Sequence, residues 1–338
     1  MKSFVLSVAV VLMASSASEA QKMSNYPTIG EVVRVDPSLD ELIDVDAKIE
    51  VLASGFDWSE GPVWVPRDGG YLLFSDVPKN TVFKWQEEKG LEPFLKPSGF
   101  TGIGRYSDEP GSNGLTLDRD GRLISCEHGD RRVSSMKWGE GKVTLADRFE
   151  GKRLNSPNDV VVRSDGNVYF TDPPYGLPGR EKDEDQQYGF CGVFRIAKTG
   201  EVTLVTKEMT RPNGVALSPD EKILYVAQSD GSEPIIRAFD IAEDGSTSNS
   251  RVFYDASSLF GKHKGAPDGL KVDAKGNVFS TGPGGIHVIT PEGKLLGRID
   301  THQATANCCW GGEKGSVLYI TADMYICRIQ TKTKGAGW

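Results

Sequence analysis

Ser59-Glu60-Gly61 opens the first of six short segments that share one pattern: a small residue or proline, then a residue with a side-chain oxygen, then in most cases glycine. The other five are Ser112-Asn113-Gly114, Pro157-Asn158-Asp159, Pro212-Asn213-Gly214, Pro267-Asp268-Gly269 and, more weakly, Ala306-Asn307-Cys308. Each tripeptide is followed by an apolar stretch, a polar turn such as Asp165-Gly166-Asn167, and a second apolar stretch such as Val168-Tyr169-Phe170. The chain therefore repeats one hairpin six times.

The spacing of this hairpin predicts the architecture. The central residues of the tripeptides stand at positions 60, 113, 158, 213, 268 and 307. The average spacing between them is close to the length of one four-stranded propeller blade. Apolar and polar residues alternate in segments 71–75, 122–125 and 223–226, each preceded by a turn signal. A β-propeller closes such hairpins without leaving exposed sheet edges. We therefore predict an all-β fold, a six-bladed β-propeller.

The first twenty residues have the pattern of a secretory signal peptide. Lys2 precedes an apolar run at 4–14, and Ser18 and Ala20 are placed for cleavage before Gln21. The run is too short to span a bilayer, although an uncleaved signal would leave a membrane anchor. We expect a secreted or periplasmic protein with no membrane association after cleavage. The predicted divisions are a signal peptide at 1–20, an N-terminal extension packed on the outside at 21–48, a propeller at 49–331 and a C-terminal tail at 332–338.

Composition limits the partners. The 338 residues are 38% hydrophobic and 25% charged with 39 glycines, as expected for a loop-rich soluble β protein. A net charge of -8 argues against a nucleic-acid partner, because phosphate binding needs a basic face. The five cysteines have no metal-binding spacing, and we predict buried thiols, with a Cys308-Cys309 disulfide as the alternative. We expect a monomer or a small homo-oligomer.

The tripeptides also predict a site. In a propeller the innermost strands begin at one face of the central channel, so the six central residues should form a ring. Four of them, Glu60, Asn158, Asn213 and Asp268, offer carboxylate and amide oxygens without thiol or imidazole. This donor set predicts a divalent cation, Ca²⁺ first, with Mg²⁺, Mn²⁺ or Zn²⁺ as alternatives. We assign Asn113 to the channel wall or to substrate, and Asn307 to structure.

The second strand of each blade should end at the same face and bring further polar residues to the ring. These are Asp76, Glu127, His128, Asp172, Gln228 and Asp323. Around this mouth, Arg131, Asp172 and Tyr175 are candidates to bind the hydroxyl groups of a sugar. Residues 177–188 follow the second strand of the third blade and are rich in acidic residues. They form either a lid over the pocket or a solvated loop.

The ordered set of motifs resembles one family. Residues 59–64, the Asn and Asp tripeptides at 157–159, 212–214 and 267–270, and the segments 126–133 and 170–176 are similar to those of the SMP-30/gluconolactonase/LRE-like family, and of its bacterial-type gluconolactonase branch in particular. The resemblance covers roughly residues 50–330 and implies a six-bladed propeller with a divalent cation, usually Ca²⁺. It implies Glu60, Asn158, Asn213 and Asp268 as the metal ligands.

The resemblance also implies two candidates for the general base. The family points to Asp268, whereas related calcium-dependent lactonases of the paraoxonase type place a histidine where His128 stands. The implied reaction is hydrolysis of a small sugar lactone, such as D-glucono-1,5-lactone, to the aldonic acid. The alternatives are a hydrolase of other lactones or of phosphotriesters, a non-catalytic ligand-binding propeller, and a strictosidine-synthase-like condensing propeller.

Overall fold

Six sheets of four or five antiparallel strands follow one another along residues 26–337, the residues that this computed structural model describes. The expected all-β, six-bladed β-propeller is confirmed. Within residues 26–337 the only helical elements are two 3₁₀ turns, Pro37–Glu41 and Arg180–Lys182. Neither they nor any other element there forms a helix that could cross a membrane. The predicted signal peptide at 1–20 lies outside the described residues.

The strands are numbered along the chain. The N-terminal segment contains β1 (Thr28–Ile29), β2 (Glu31–Arg34) and β3 (Ile49–Ser54). Blade one contains β4 (Ser59–Val65), β5 (Tyr71–Asp76), β6 (Thr81–Gln86) and β7 (Gly90–Leu95). Blade two contains β8 (Ser112–Leu117), β9 (Leu123–Glu127), β10 (Arg132–Met136) and β11 (Lys142–Ala146), and a small hairpin follows it, β12 (Arg148–Phe149) and β13 (Lys152–Arg153).

The remaining blades continue in the same order. Blade three contains β14 (Val160–Val162), β15 (Val168–Asp172), β16 (Gly192–Ile196) and β17 (Val202–Thr206). Blade four contains β18 (Pro212–Leu217), β19 (Ile223–Gln228), β20 (Ile235–Ile241) and β21 (Thr247–Asp255). Blade five contains β22 (Leu270–Val272), β23 (Val278–Gly282), β24 (Gly285–Ile289) and β25 (Leu295–Asp300). Blade six contains β26 (Thr305–Gly311), β27 (Val317–Ala322) and β28 (Tyr325–Gln330).

The two ends of the chain close the ring. Strand β3 pairs antiparallel with β28 and supplies the fourth strand of blade six. Strand β1 extends the same sheet beyond β3, and β2 pairs with β25 as a fifth strand of blade five. The 3₁₀ turn between β2 and β3 buries Leu39 in the apolar cluster that contains Phe279 and Ile299. The N-terminal segment therefore joins the outer edges of the last two blades.

Both faces of each blade are buried against a neighbour. Within residues 26–337, six apolar clusters fill the six spaces between adjacent blades. Successive residues of one strand enter different clusters, because side chains alternate between the two faces of a strand. Tyr169, for example, packs against blade four while Phe170 packs against blade two. This explains why the second strands are almost continuously apolar.

All five cysteines are buried, free thiols. The prediction of buried thiols is confirmed, and the alternative of a Cys308-Cys309 disulfide is not realised. Burial raises the pKa of the Cys308 thiol to about 12, so this side chain is uncharged at neutral pH. The cysteines belong to the packing between blades and not to the channel site described next.

Candidate functional site

The six tripeptides stand at the start of the innermost strands, as predicted, and several of them bulge. Register shifts interrupt the pairing of the first two strands between Glu60 and Val63, between Ser112 and Leu115, and between Pro212 and Val215. In blades three and five the regular strand begins only after the tripeptide, at Val160 and Leu270. Bulges re-aim side chains next to functional sites, and here they leave the central side chains free to face the channel.

The glycines of the tripeptides permit a close approach of neighbouring blades. A Cβ atom on Gly61 would lie 1.9 Å from the carbonyl oxygen of Asn113, and one on Gly214 would lie 2.1 Å from the carbonyl oxygen of Asp268. The amide of Gly114 donates a hydrogen bond to the carbonyl of Asn158 at 2.7 Å. The main chains of successive tripeptides are thus linked around the channel, while their side chains project into a cavity.

That cavity has a volume of about 300 Å³. It is lined by Trp58, Glu60, Glu109, Asn113, Asn158, Tyr175, Arg180, Asn213, Ser229, Gly265, Ala266, Asp268, Ala304 and Thr305. The structure therefore brings together the four predicted metal ligands, Asn113 and Tyr175. A cavity of this size is at the lower end of the range for small-molecule sites.

Several oxygens in the ring are buried without a donor. Within residues 26–337, Oδ1 of Asn113, Oδ1 of Asn158 and Oδ1 of Asp268 have no hydrogen-bond partner. The amide nitrogens of Asn158 and Asn213, the two asparagines predicted as ligands, are held from behind. Nδ2 of Asn158 lies 3.5 Å from Nε2 of His128, and Nδ2 of Asn213 donates to Oγ of Ser229 at 2.8 Å. Buried polar atoms are normally satisfied, so these oxygens are candidates to bind a cation or a polar ligand.

The environment of the ring disfavours the charged forms of its two carboxyl groups, Glu60 and Asp268. Burial, and after it the charge of Asp159, raises the pKa of Glu60 to about 8. Burial also raises the pKa of Asp268 well above its usual range, and the charge of Glu60 adds to the shift. Glu60 accepts hydrogen bonds from the Gly61 amide at 3.1 Å and from Nε1 of Trp58 at 3.4 Å.

A divalent cation fits this arrangement. It would offset the repulsion between the two carboxylates and would accept the unpartnered amide oxygens as ligands. The donor set is mixed, because it combines two carboxylates with two amide oxygens. Residues 26–337 contain no cluster of three or more His, Cys, Asp or Glu side chains that could hold a metal. The fit therefore depends on Asn158 and Asn213 as much as on the two carboxylates.

His128 lies behind the ring and not in the lining of the cavity. It is fully buried, and Nδ1 lies 3.1 Å from the carbonyl oxygen of Glu109. Burial lowers the pKa of His128 to about 4, so the imidazole is neutral at pH 7. With Nδ1 protonated toward Glu109, Nε2 accepts from the amide of Asn158 and turns Oδ1 of Asn158 away from the histidine.

The polar residues that end the second strands hold loops and do not line the cavity. Asp172 accepts hydrogen bonds from the backbone amides of Asn155 at 2.7 Å and Ser156 at 2.8 Å, just before the third tripeptide. Burial raises the pKa of Asp172 to about 7. Asp76 and Gln228 accept from backbone amides in the same way in blades one and four.

The residues at the ends of the second strands in blades two and six also make local structural contacts. Glu127 is buried between Arg132 and Lys142, each with a nitrogen 2.7 Å from a carboxylate oxygen. The carbonyl of Asp323 accepts from the amide of Ser59 at 3.0 Å. None of these side chains belongs to the lining residues, all of which lie within residues 26–337.

The candidate substrate contacts divide into two groups. Asn113 and Tyr175 line the cavity, whereas Asp172 and Arg131 do not. Nε of Arg131 donates to the carbonyl of Leu154 at 2.7 Å, and this arginine lines a separate crevice. The sugar contacts expected of Asp172 and Arg131 therefore have no counterpart in the cavity.

The sixth tripeptide has a local structural role. Oδ1 of Asn307 accepts a hydrogen bond from the amide of Cys308 at 2.9 Å. A Cβ atom on Gly269 would lie 2.0 Å from the side chain of Asn307. Asn307 therefore packs beneath blade five, in agreement with the expectation that it is structural.

One set of residues was not predicted from the sequence. These are threonines on the second strands, whose hydroxyl groups lie beside the ring. Oγ1 of Thr171 accepts from the amide of Asp159 at 3.1 Å and donates to the carbonyl of Asn213 at 2.6 Å. Thr281 and Thr321 make comparable links in blades five and six. Their shared position in the repeat, one residue before the end of the second strand, is the signal that would have identified them.

Glu109 and Arg180 are the charged lining residues that the sequence did not identify. Nη2 of Arg180 lies 3.3 Å from Oε1 of Glu109, so the two close part of the mouth together. Both come from loops, at 96–111 and 173–191, that lie outside the repeating hairpins. No spacing rule of the repeat could therefore have found them.

Comparison with known proteins identifies the relatives. The model of the SMP-30/Gluconolactonase/LRE-like region matches residues 58–323. A gluconolactonase of Zymomonas mobilis subsp. mobilis is 40% identical over 335 residues, which cover 97% of this chain and 93% of the relative. These shares span nearly the whole of both sequences.

Solved structures give the same result. The X-ray structure of a putative gluconolactonase superposes with a TM-score of 0.80 and 33% identity, covering 91% of this chain and 100% of that chain. A gluconolactonase of Xanthomonas campestris superposes with a TM-score of 0.77 and 30% identity, covering 90% and 97%.

Proposed function

Because the chain belongs to the SMP-30/gluconolactonase/LRE-like family, we propose that it is a metal-dependent lactonase that hydrolyses a sugar lactone such as D-glucono-1,5-lactone to the aldonic acid. The observation that carries the proposal is the ring of buried oxygens without donors, at Asn113, Asn158 and Asp268. The gluconolactonases of Zymomonas mobilis and Xanthomonas campestris support the substrate class.

Glu60, Asn158, Asn213 and Asp268 would hold the cation, with Ca²⁺ preferred for an all-oxygen donor set and Mg²⁺, Mn²⁺ or Zn²⁺ as alternatives. A bound divalent cation supplies Lewis acidity toward a carbonyl oxygen. Asn113 and Tyr175 line the same cavity and would hydrogen-bond the sugar hydroxyls.

Asp268 is the base that the geometry favours. Its Oδ1 lies in the cavity wall without a partner in residues 26–337, where a carboxylate can accept a proton from water. It would take the proton of the attacking water as the water oxygen bonds to the carbonyl carbon. The ring C–O bond then breaks, and the ring oxygen leaves as a hydroxyl group after gaining a proton.

His128 acts differently in this proposal. Its ring nitrogens face Glu109 and Asn158, and it does not line the cavity. We therefore assign it to orienting the Asn158 amide, as a positioning residue.

The test is a lactonase assay on metal-stripped and reconstituted protein. Glucono-1,5-lactone, an aliphatic lactone and a phosphotriester are compared side by side with Ca²⁺, Mg²⁺, Mn²⁺ and Zn²⁺. We expect hydrolysis of the sugar lactone to vanish on stripping and to return with Ca²⁺. Undiminished hydrolysis by the stripped protein would contradict metal dependence, and a faster phosphotriester reaction would overturn the substrate assignment.

Export is a separate proposal that rests on residues 1–20, which lie outside the described residues. If they are a signal peptide, the mature protein begins at Gln21 and is secreted or periplasmic. Mass spectrometry of the N-terminus of the protein recovered from each cell fraction tests this. A cytoplasmic protein that retains Lys2 would contradict it.

A further inference from the structure

Arg180 places a positive charge at the mouth of a cavity whose other charged lining residues are carboxylates. Of the lining residues, which all lie within 26–337, Glu60, Glu109 and Asp268 are acidic and Arg180 alone is basic. Nη2 of Arg180 lies 3.3 Å from Oε1 of Glu109. The Arg180 side chain is about half exposed, at 51%, and that of Glu109 is 26% exposed. The guanidinium is therefore accessible to a ligand, and within residues 26–337 it pairs with one carboxylate, that of Glu109.

The position of Arg180 is fixed by contacts outside the cavity. Glu181 forms an ion pair with Arg211 at 2.8 Å, and the carbonyl of Asp185 accepts from Nη2 of Arg131 at 2.6 Å. Leu177, at the start of the segment, is fully buried. Residues 177–188 are thus anchored on both sides of Arg180, which holds its backbone beside the mouth.

The proposed reaction changes the charge of what the cavity holds. A neutral lactone and water enter, the ester C–O bond breaks, and the product is a carboxylate with its proton released through the base to solvent. With the proposed cation offsetting the charges of Glu60 and Asp268, Glu109 is the lining carboxylate that repels a carboxylate at the mouth. A guanidinium offers two parallel donors in a fork that matches a carboxylate.

We propose, on the premise of the lactonase function above, that Arg180 binds the carboxylate of the aldonate product by exchanging its contact with Glu109 for one with the product. Arg180 thereby selects for ligands that carry or develop a carboxylate at the mouth. Glu109 is the resting partner of the guanidinium and competes with the product for it.

The experiment is calorimetric binding of sodium gluconate to the metal-loaded protein, together with the constant for product inhibition. Arg180→Met removes the charge and keeps most of the side-chain length, and Arg180→Lys keeps a point charge without the fork. We expect Arg180→Met to weaken gluconate binding about tenfold. This loss is toward the lower end of the free energies typical of a hydrogen bond to a charged group, because Arg180 is half exposed. Arg180→Lys should lie between Arg180→Met and wild type.

Arg211→Met is the matched control. It breaks the ion pair to Glu181 on the same segment, and Arg211 is not a lining residue. We expect wild-type gluconate affinity from this variant. An equal loss in Arg211→Met would mean that the order of the segment matters and not the Arg180 charge, which would overturn the proposal.

A variant of Glu109 tests the exchange itself. Glu109→Gln removes the competing carboxylate and should tighten gluconate binding, and this gain should shrink when Arg180→Met is combined with it. An undiminished gain in the double variant would show general repulsion without exchange and would contradict the role given to Glu109.

Failure of this inference and failure of the proposed function give different results. Wild-type protein that hydrolyses glucono-1,5-lactone but binds gluconate as tightly as Arg180→Met would overturn the role of Arg180 alone. Wild-type protein without lactonase activity would overturn the proposed function. Wild-type protein that binds no gluconate in the calorimeter would overturn the inference whatever the assay shows.

Discussion

Both ends of the innermost strands carry Asp or Asn residues, but the side-chain oxygens are hydrogen-bonded at one end and unpartnered at the other. At the far end, Oδ1 of Asp118 accepts from the amides of Asp120 and Arg122, and Oδ1 of Asp273 accepts from those of Lys275 and Asn277. At the ring end, Oδ1 of Asp268, Asn158 and Asn113 has no donor in residues 26–337. An Asp or Asn at a recurring position of the blades is therefore structural where local amides satisfy it, and is a candidate ligand where they do not.

The largest expected effect separates these two ends directly. Asp268→Asn should lower kcat on glucono-1,5-lactone by on the order of 10²–10⁴-fold, because it removes the proposed base. The measurement is a steady-state assay at saturating Ca²⁺, so that loss of metal affinity is not mistaken for loss of catalysis.

Asp273→Asn is the matched control at the far end. Asp273 accepts from Asn277 and from Oγ1 of Thr333 at 2.8 Å, so the substitution should cost about 1–3 kcal/mol in the free energy of unfolding. It should leave kcat unchanged. A comparable loss of kcat in both variants would erase the distinction between the two ends.

Cation binding should stabilise the ring end. At a Ca²⁺ concentration of 100 times Kd, the gain in unfolding free energy is about 2.7 kcal/mol, which corresponds to a rise in Tm of roughly 5 °C for a chain of this size. Glu60→Gln should remove most of this rise. Differential scanning calorimetry with and without chelator measures it, and an identical Tm in both conditions would contradict a cation site.

The metal-free protein should respond to pH through Glu60. Its folded-state pKa of about 8 lies above the unfolded value, so between about pH 5 and pH 8 the folded state binds more protons and stability falls as pH rises. His128, with its pKa lowered to about 4, acts in the opposite sense. Its contribution to the free energy of unfolding decreases as the pH falls below about 6.5.

A comparison with Glu60→Gln isolates the carboxylate, because the histidines are common to both proteins. The variant should show a shallower decline, because the raised pKa values of Asp172 and Asp268 remain in it. It should exceed metal-free wild type at pH 8 by about 1–3 kcal/mol in unfolding free energy, the cost of a buried unsatisfied group. Urea titrations at pH 5, 6.5 and 8 measure the difference. Parallel curves for the two proteins would contradict a titrating Glu60.

The sequence predicted what the repeat determines and missed what lies outside it. The blade number, the ring of Glu60 and Asp268 and the buried cysteines follow from spacing and residue type. The same reasoning placed Asp172 at the mouth because it ends a second strand. It did not predict that the two amides before the tripeptide of the same blade bind the Asp172 carboxylate. Arg180 comes from a long connection with no period, where only the folded chain shows which side chain reaches the cavity.

His128 is a further test of which residues touch the substrate. His128→Ala should lower activity about tenfold by releasing the amide of Asn158, as is usual for residues behind a metal ligand. His128→Gln supplies an acceptor for that amide and should recover most of the activity. A loss in both variants as large as that of Asp268→Asn, with unchanged Ca²⁺ affinity, would instead identify His128 as the base.

The smallest expected effect concerns the threonine hydroxyls beneath the ring that accept from the backbone amide of a tripeptide residue. Oγ1 of Thr281 accepts from the amide of Asp268 at 3.0 Å, and Oγ1 of Thr321 accepts from that of Asn307 at 2.9 Å. Each Thr→Val substitution should cost about 1 kcal/mol in unfolding free energy. Only Thr281→Val should also lower kcat/KM, by a factor of a few, because Asp268 borders the cavity and Asn307 does not. Equal kinetic losses in the two variants would mean that the ring responds to stability as a whole, and not to the placement of the one side chain whose oxygen is unpartnered.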